Sequence, residues 1–519
     1  IWLVVLFSLG VHSSFFGPTK YGILPEIVPY EKLSWANGIL ELTTFIGIIM
    51  GTFVGSEIVG IWKNTMDLNT DNKIAVLHQN IHWLSYPTIV LLLLTITGLF
   101  SAFYIKKVPA SNPSKKFDWN FFRDLKYYWK FVKADCQLFY AIIGFMFFWC
   151  VSSVAYMNII AFTTESLQLP VERVSWLLVS LILGIGSGSY LAGVLSRGRI
   201  ELGLVSIGGI LMVVCASFLS LPGLSVFGAL LNLCLLGFGA GFYIVPIQAL
   251  IQHLPHPTVK GGIQGLAYWL SNVGSTSSTL VYMFLFGSLG FSPRLIWLTV
   301  AFFVLLITVI AIYKQPVILF RTIMWILNGT LYRLNVLGKD NIPLYGGALI
   351  VSNPISFTDA LFLATASPRP IRFLIHEHYL KKWYISHFAK GMGVIPVGDN
   401  LSPRKLIETL KVARQAIANG DLVCIVPERS TATKGVARRA SQKGFERIME
   451  GLEGSIVPVY LDNIWGNIIK ISHSKFFFYK PLRIPYPITI SFGEHLPPTV
   501  NHDGIVSSLK SLETSVCSD

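Results

Sequence analysis

Long apolar stretches dominate the chain as far as Tyr313 and are absent after it. They lie near Ile1 to Gly17, Ala36 to Trp62, Trp83 to Ile105, Leu138 to Phe162, Val174 to Leu195, Leu202 to Leu221, Ser225 to Ile251, Gly262 to Phe286 and Leu295 to Tyr313. Each approaches the roughly 20 residues that an α-helix needs to cross about 30 Å of hydrocarbon. The pattern therefore predicts a polytopic helical membrane bundle of nine spans over residues 1–314. Beyond Lys314, Gly/Pro turns separate short β-branched runs from amphipathic segments, which is the pattern of an α/β domain. Strands are expected at Ala348–Ser352, Arg372–Ile375, Val394–Val397, Leu422–Val426, Ile456–Leu461 and Ile488–Phe492, with the clearest helix at Pro403–Ala418. A mixed sheet flanked by helices follows from that alternation. Residues 315–335 read as an amphipathic bridge, in which apolar residues from Val317 to Leu334 interleave with Arg321 and Arg333 and suit a membrane surface. The α/β domain then spans 336–500, leaving 501–519 as a tail.

Composition agrees with the pattern. Of the 519 residues, 53% are hydrophobic and only 13% are charged, and a mean hydropathy of +0.59 exceeds that of ordinary soluble domains. The net charge of +14 is unevenly placed. If Ile1 lies outside, the inner loops hold Lys20, Lys32, the basic run from Lys106 to Lys133, Arg197, Arg199, Lys260 and Lys314. The outer loops hold only Lys63, Lys73, Arg173 and Arg294. Basic residues are retained on the cytoplasmic side, so the α/β domain is expected in the cytoplasm. Six cysteines in no paired arrangement fit that reducing compartment, and no disulfide is expected. The basic segment from Lys106 to Gln137 reads as a solvated or lipid-facing surface attracted to anionic headgroups, not as a nucleic-acid site. Three apolar stretches precede it and six follow, so a six-plus-six arrangement predicts about three more spans ahead of Ile1.

Charged and polar groups inside apolar stretches are the candidates for a transport pathway, because each costs at least about 2.5 kcal/mol at mid-membrane unless it faces a cavity or partner. Glu41 is one helical turn beyond Asn37, and Gln248, Gln264 and Asn272 add polar positions from later stretches. Two readings of Glu41 stand: a pathway carboxylate, or a boundary carboxylate paired with Lys20 or Lys32. The many glycines, among them Gly47, Gly51, Gly55, Gly184, Gly186, Gly188, Gly237, Gly239 and Gly241, permit close helix approach, as a rocking bundle or plain packing requires.

The segment Gly17-Pro18-Thr19-Lys20-Tyr21-Gly22-Ile23-Leu24-Pro25-Glu26, followed by Ala36-Asn37-Gly38 and Glu41, resembles a cytoplasmic loop and the next span of lysophospholipid transporters in the major facilitator superfamily. Phe242 to Leu250 and Gly262 to Asn272 resemble later spans of the same family. The resemblance implies a lysophospholipid pathway lined by Lys20, Asn37, Glu41, Gln248 and Asn272.

The remaining residues resemble glycerophospholipid acyltransferases in four blocks. Ser352-Asn353-Pro354-Ile355-Ser356-Phe357-Thr358-Asp359 is similar to the Asn-His-x-Ser-x-x-Asp motif, and Gly393 to Val397 to the strand of the second block. Val426-Pro427-Glu428 and Ile456-Val457-Pro458-Val459 supply the other two. The resemblance implies transfer of an acyl group from an acyl-carrier protein or coenzyme A thioester to a lysophospholipid hydroxyl, with no metal and no bound cofactor. It implies a histidine base oriented by Asp359, and a phosphate site around Ser356, Pro427, Glu428 and the next residue, a glycine in the family. This chain departs from that pattern twice. Pro354 stands in the histidine position and has neither an ionisable group nor an N–H, and Arg429 stands in the glycine position. His376 and His378 are candidate substitute bases, and Arg429, Arg438 and Arg439 candidate anchors for an acidic headgroup. A transporter joined to such a domain is similar to bacterial inner-membrane fusions that import and reacylate lysophospholipid. The alternative is a transporter whose second domain only binds lipid or regulates transport.

Overall fold

The computed structural model describes residues 2–65, 89, 92–105, 107–109, 120–196, 200–314, 332–343, 346–353, 357–367, 369–377, 380, 386, 389, 391–397, 403–425, 444–452, 454–462, 469–472, 475–478 and 485–517. It forms two compact units, Ile1–Ile312 and Tyr313–Asp519.

The first unit is helical. Its elements are α1 (Trp2–Gly22), α2 (Leu33–Thr65), α3 (Leu92–Phe103), α4 (Phe121–Ala134), α5 (Cys136–Ala161), α6 (Val174–Leu195), α7 (Gly203–Leu219), α8 (Val226–His253), α9 (Lys260–Met283) and α10 (Pro293–Lys314). Among the described residues, five segments are both long and apolar enough to cross a membrane: Tyr30–Gly51, Cys136–Ser166, Val171–Leu195, Val226–His253 and Pro293–Lys314. Of the other expected spans, the one from Trp83 lies outside the described residues as far as residue 91, apart from Ile89, and two more differ for visible reasons. Helix α7 has 17 residues, whereas α9 has 24 and dilutes its apolar character with a Ser/Thr run from Ser275 to Thr279.

Glycine sets the spacing of α6 and α8. A Cβ on Gly184 would lie 1.9 Å from the Cys234 carbonyl oxygen, and one on Gly237 would lie 2.1 Å from that of Leu181. Backbone thus meets backbone along this pair, as small-residue membrane interfaces allow. Gly47, Gly51 and Gly55 of α2, by contrast, have nothing within 4 Å of such a Cβ.

The second unit is built on a seven-stranded sheet in the order β1-β9-β6-β2-β5-β3-β4. The strands are β1 (Tyr332–Leu337), β2 (Ala348–Ser352), β3 (Ile371–His376), β4 (Ile395–Val397), β5 (Leu422–Ile425), β6 (Ser455–Asp462) and β9 (Tyr486–Phe492). A separate antiparallel pair joins β7 (Ile469–Ser472) to β8 (Lys475–Phe478). Strand β2 pairs parallel with β5 and β6, and all five of its residues are buried, which explains its unbroken apolar sequence. Its side chains alternate between two cores. Ile350 joins Phe362 of α11 (Phe357–Ala366) on one face. Leu349 and Val351 meet Ala413 of α12 (Pro403–Ala418), Phe445 of α13 (Gly444–Met449) and Ile505 of α14 (His502–Cys517) on the other.

Two expectations need correction. The amphipathic bridge was expected to continue to Leu334, but Tyr332 begins an edge strand paired parallel with β9. Its residues alternate, with Tyr332 buried against Phe362 and Arg333 exposed, so the period there is two; residues 315–331 lie outside the described ones. The expected tail is α14, whose Ile505 is buried and whose Glu513 accepts a hydrogen bond from Tyr460 at 3.0 Å.

Arg369 ties together three turns of this unit. Its guanidinium donates to the carbonyl oxygens of Pro343 and Gly346, each at 2.8 Å, and to that of Gly420 at 2.5 Å. Hydrogen bonds from a charged donor are stronger than neutral ones. Arg369→Ala is expected to destabilise the unit by about 3 kcal/mol, read as a lower midpoint in thermal unfolding of the full chain; an unchanged midpoint contradicts the role.

Candidate functional site

In the second unit, the relevant geometry is the carboxyl end of β2. Asn353 follows its last residue, and its side chain behaves as an added rung of sheet. Asn353 Nδ2 donates to the Leu461 carbonyl at 2.9 Å, and Asn353 Oδ1 accepts from the Leu461 N–H at 3.0 Å. The Asn353 N–H reaches the Val459 carbonyl at 3.3 Å. The chain leaving β2 is therefore clamped to β6. It returns as α11, with Asp359 in the first helical turn. Beside it, Val351 is in register with Ile425 at the end of β5, and Val426-Pro427-Glu428-Arg429 continues that segment. Both motif segments thus start from the carboxyl ends of neighbouring parallel strands, where open α/β sheets bind ligands. Pro354, Ser356, Pro427, Glu428, Arg429, His378, Arg438 and Arg439 lie outside the described residues. Asp359 and His376 are placed only as members of α11 and β3.

Cys424 is near these segments in sequence but plays a core part. It is 2% exposed on β5, and burial pushes its thiol up to about 12. A thiol held so high is protonated at neutral pH and is a poor nucleophile.

In the first unit, the end of α1 and the start of α2 converge on the end of α8. Tyr21 Oη donates to Glu41 Oε1 at 2.5 Å, and Lys20 Nζ donates to Thr44 Oγ1. One turn away, Asn37 and Gln252 form a reciprocal amide pair: Asn37 Nδ2 donates to Gln252 Oε1 at 2.7 Å and Gln252 Nε2 to Asn37 Oδ1 at 3.1 Å. Gln252 Nε2 also donates to the Tyr21 carbonyl at 3.0 Å, which links the amide pair to the tyrosine. The Tyr268 ring of α9 stands 6.0 Å from that of Tyr21. Gln248, one turn before Gln252, is 1% exposed, and neither of its amide atoms has a partner among the described residues. Gln264 of α9 is also buried, with its Nε2 unpartnered.

The structure thus brings Lys20, Asn37 and Glu41 into one polar cluster, with Gln248 on the helix that supplies Gln252. Asn272 is exposed, and among the described residues no hydrogen bond joins its side chain to that cluster. Glu41 has Tyr21 as its hydrogen-bond partner, while the Lys20 ammonium is taken by Thr44. Tyr21, Gln252 and Tyr268 escaped the sequence reading. The signal for Gln252 was its i+4 spacing from Gln248, which puts both on one face of α8.

The apolar helices carrying this cluster make the chain an integral membrane protein. A family profile described as Major Facilitator Superfamily matches residues 1–279. The chain belongs to that superfamily. A second profile, described as Acyltransferase, matches residues 333–462 and covers β1 to β6, so this superfamily member joins a transporter region to an acyltransferase domain. The lysophospholipid transporter LplT of Serratia proteamaculans is 24% identical over 288 residues, 54% of this chain and 64% of that protein. LplT of Klebsiella pneumoniae (strain 342) is 25% identical over 299 residues, 55% of this chain and 66% of that protein. The superfamily member described here therefore matches just under two thirds of the length of these relatives. The crystal structure of the 1-acyl-sn-glycerophosphate acyltransferase PlsC from Thermotoga maritima aligns with a TM-score of 0.30 at 14% identity, over 41% of this chain and 81% of that one.

Proposed function

We propose that the chain carries lysophospholipid across a bacterial inner membrane, and that its acyltransferase domain receives the delivered lipid on the cytoplasmic side. The observation that carries this reading is the polar cluster of Tyr21, Asn37, Glu41 and Gln252, with the buried, unpartnered Gln248 one turn along α8. A lysophospholipid headgroup offers a phosphate and hydroxyls, which are matched by amide donors, a tyrosine hydroxyl and the Lys20 ammonium. Burying Gln248 with no partner costs free energy in this conformation, and a ligand bond would offset it. Tethering the acyltransferase domain to the transporter raises its local concentration around released substrate.

The proposed acyl donor is an acyl-carrier protein or coenzyme A thioester. Proline in the base position favours a second reading, a domain that holds the lipid with little or no turnover. One experiment addresses both. Vesicles containing the full chain and supplied with radiolabelled lysophospholipids are expected to take them up saturably, several-fold above empty vesicles. With an acyl thioester on the domain's side, retention of the label as lysophospholipid selects the binding reading, and conversion to diacyl phospholipid selects catalysis. No uptake of any lysophospholipid overturns the transport proposal.

A further inference from the structure

The basic helix α4 is not used by either proposed site. Its sequence Phe121-Phe122-Arg123-Asp124-Leu125-Lys126-Tyr127-Tyr128-Trp129-Lys130-Phe131-Val132-Lys133-Ala134 carries four basic residues and one acid. At 100° per residue it has three distinct faces. Tyr128 and Val132 are buried on one face, and the Tyr128 ring occupies the space that a Cβ on Gly262 of α9 would need. Opposite them lies a stripe of exposed Arg123, Lys126, Lys130 and Lys133. The stripe is flanked by exposed aromatics, Phe122 (74% exposed) on one side and Tyr127 and Phe131 (49% and 41%) on the other.

The helix is a separate element, capped at its start and broken from the next helix at its end. Asn120 caps its start by accepting from the Arg123 N–H, and Asp135 breaks the chain and caps α5 by accepting from the N–H groups of Gln137 and Leu138. Only that one residue separates α4 from the segment Cys136–Ser166, which is long and apolar enough to span a membrane. Aromatic side chains settle at the headgroup level of a bilayer, and basic residues beside them meet lipid phosphates. We propose that α4 is an interfacial helix that selects anionic phospholipid, with Arg123, Lys126, Lys130 and Lys133 reading headgroup charge and Phe122, Tyr127 and Phe131 anchoring it. Tyr128 rests on Gly262 in the first turn of α9, the helix that also carries Gln264 and Tyr268, so α4 stands between lipid bound on its far face and a helix of the polar cluster.

The test is lipid selectivity of the full chain, which does not depend on transport. In bilayers of mixed composition, spin-labelled phosphatidylglycerol is expected to be immobilised by the protein at least about two-fold more than spin-labelled phosphatidylcholine, since each basic residue near the surface favours anionic lipid by up to roughly five-fold. The variant R123Q/K126Q/K130Q/K133Q should lose most of that preference. Neutralising Lys339, Lys411, Arg414 and Lys510 of the second unit should leave it intact. If the fourfold variant does not fold, K126Q/K130Q serves instead, because the packing of α4 rests on Tyr128 and Val132. Equal immobilisation of the two lipids, or a preference unchanged when the α4 charges are removed, overturns the proposal.

Discussion

Pro354→His is expected to raise acyl transfer by about 10²- to 10⁴-fold, the range typical of a general base. The scaffold for that base is in place up to the residue before it. Asn353 is held to β6 by two side-chain hydrogen bonds to Leu461, and Asp359 lies in the first turn of α11. What the native residue lacks is chemical: proline cannot accept the proton of an attacking hydroxyl and has no N–H to donate. The assay supplies the full chain with acyl thioester and lysophospholipid and follows the diacyl product. Pro354→Ala separates base chemistry from backbone restriction and is expected to stay at the native level. Adding Arg429→Gly to Pro354→His is expected to raise the rate further, because the motif that this segment resembles has glycine at that position in the sequence. No gain from Pro354→His in a chain that unfolds at the native temperature contradicts the assignment. High activity in the native chain points to another base, with His376 and His378 as the variants to make next.

The parts of this protein that were legible in sequence are those specified by local periodicity. Strand β2 was visible as five consecutive apolar residues because both its faces are covered, and α12 because its apolar positions recur at helical spacing. Strand β1 was hidden by its place in a run rich in Ile, Leu and Trp, where a period of two begins only at Tyr332. Helix α14 was passed over because much of it is exposed and only residues such as Ile505 enter the core.

The polar cluster divides the same way. Asn37 and Glu41 announce themselves by lying one turn apart within an apolar stretch. Their partners do not: Gln252 is 215 positions from Asn37, and Tyr21 reads as an ordinary aromatic until its hydroxyl is seen on Glu41. Asn272 stands apart from that cluster: α9 leaves it exposed, and among the described residues no hydrogen bond joins its side chain to the others. The asparagine of the acyltransferase motif carries no expected role in the sequence, whereas its side chain supplies the joint between β2 and β6.

Glu41→Gln is expected to lower the initial rate of lysophospholipid uptake by about 10- to 100-fold, the equivalent of one charge-assisted hydrogen bond. The substitution is nearly isosteric, and its amide oxygen still accepts from Tyr21 Oη, so the contact between α1 and α2 survives. The change therefore isolates charge. A carboxylate in a span is costly to bury, so its removal should leave the yield and thermal stability of the chain equal or higher. Stability and transport are thus predicted to move in opposite directions, which a merely structural carboxylate would not produce. Tyr21→Phe provides the complementary case, since it keeps the charge but removes the hydroxyl that orients it. It should give a smaller loss of uptake, together with a modest loss of stability from the unpaired carboxylate. Uptake by the Glu41→Gln chain at the native rate would remove Glu41 from the pathway and return it to the role of a boundary residue.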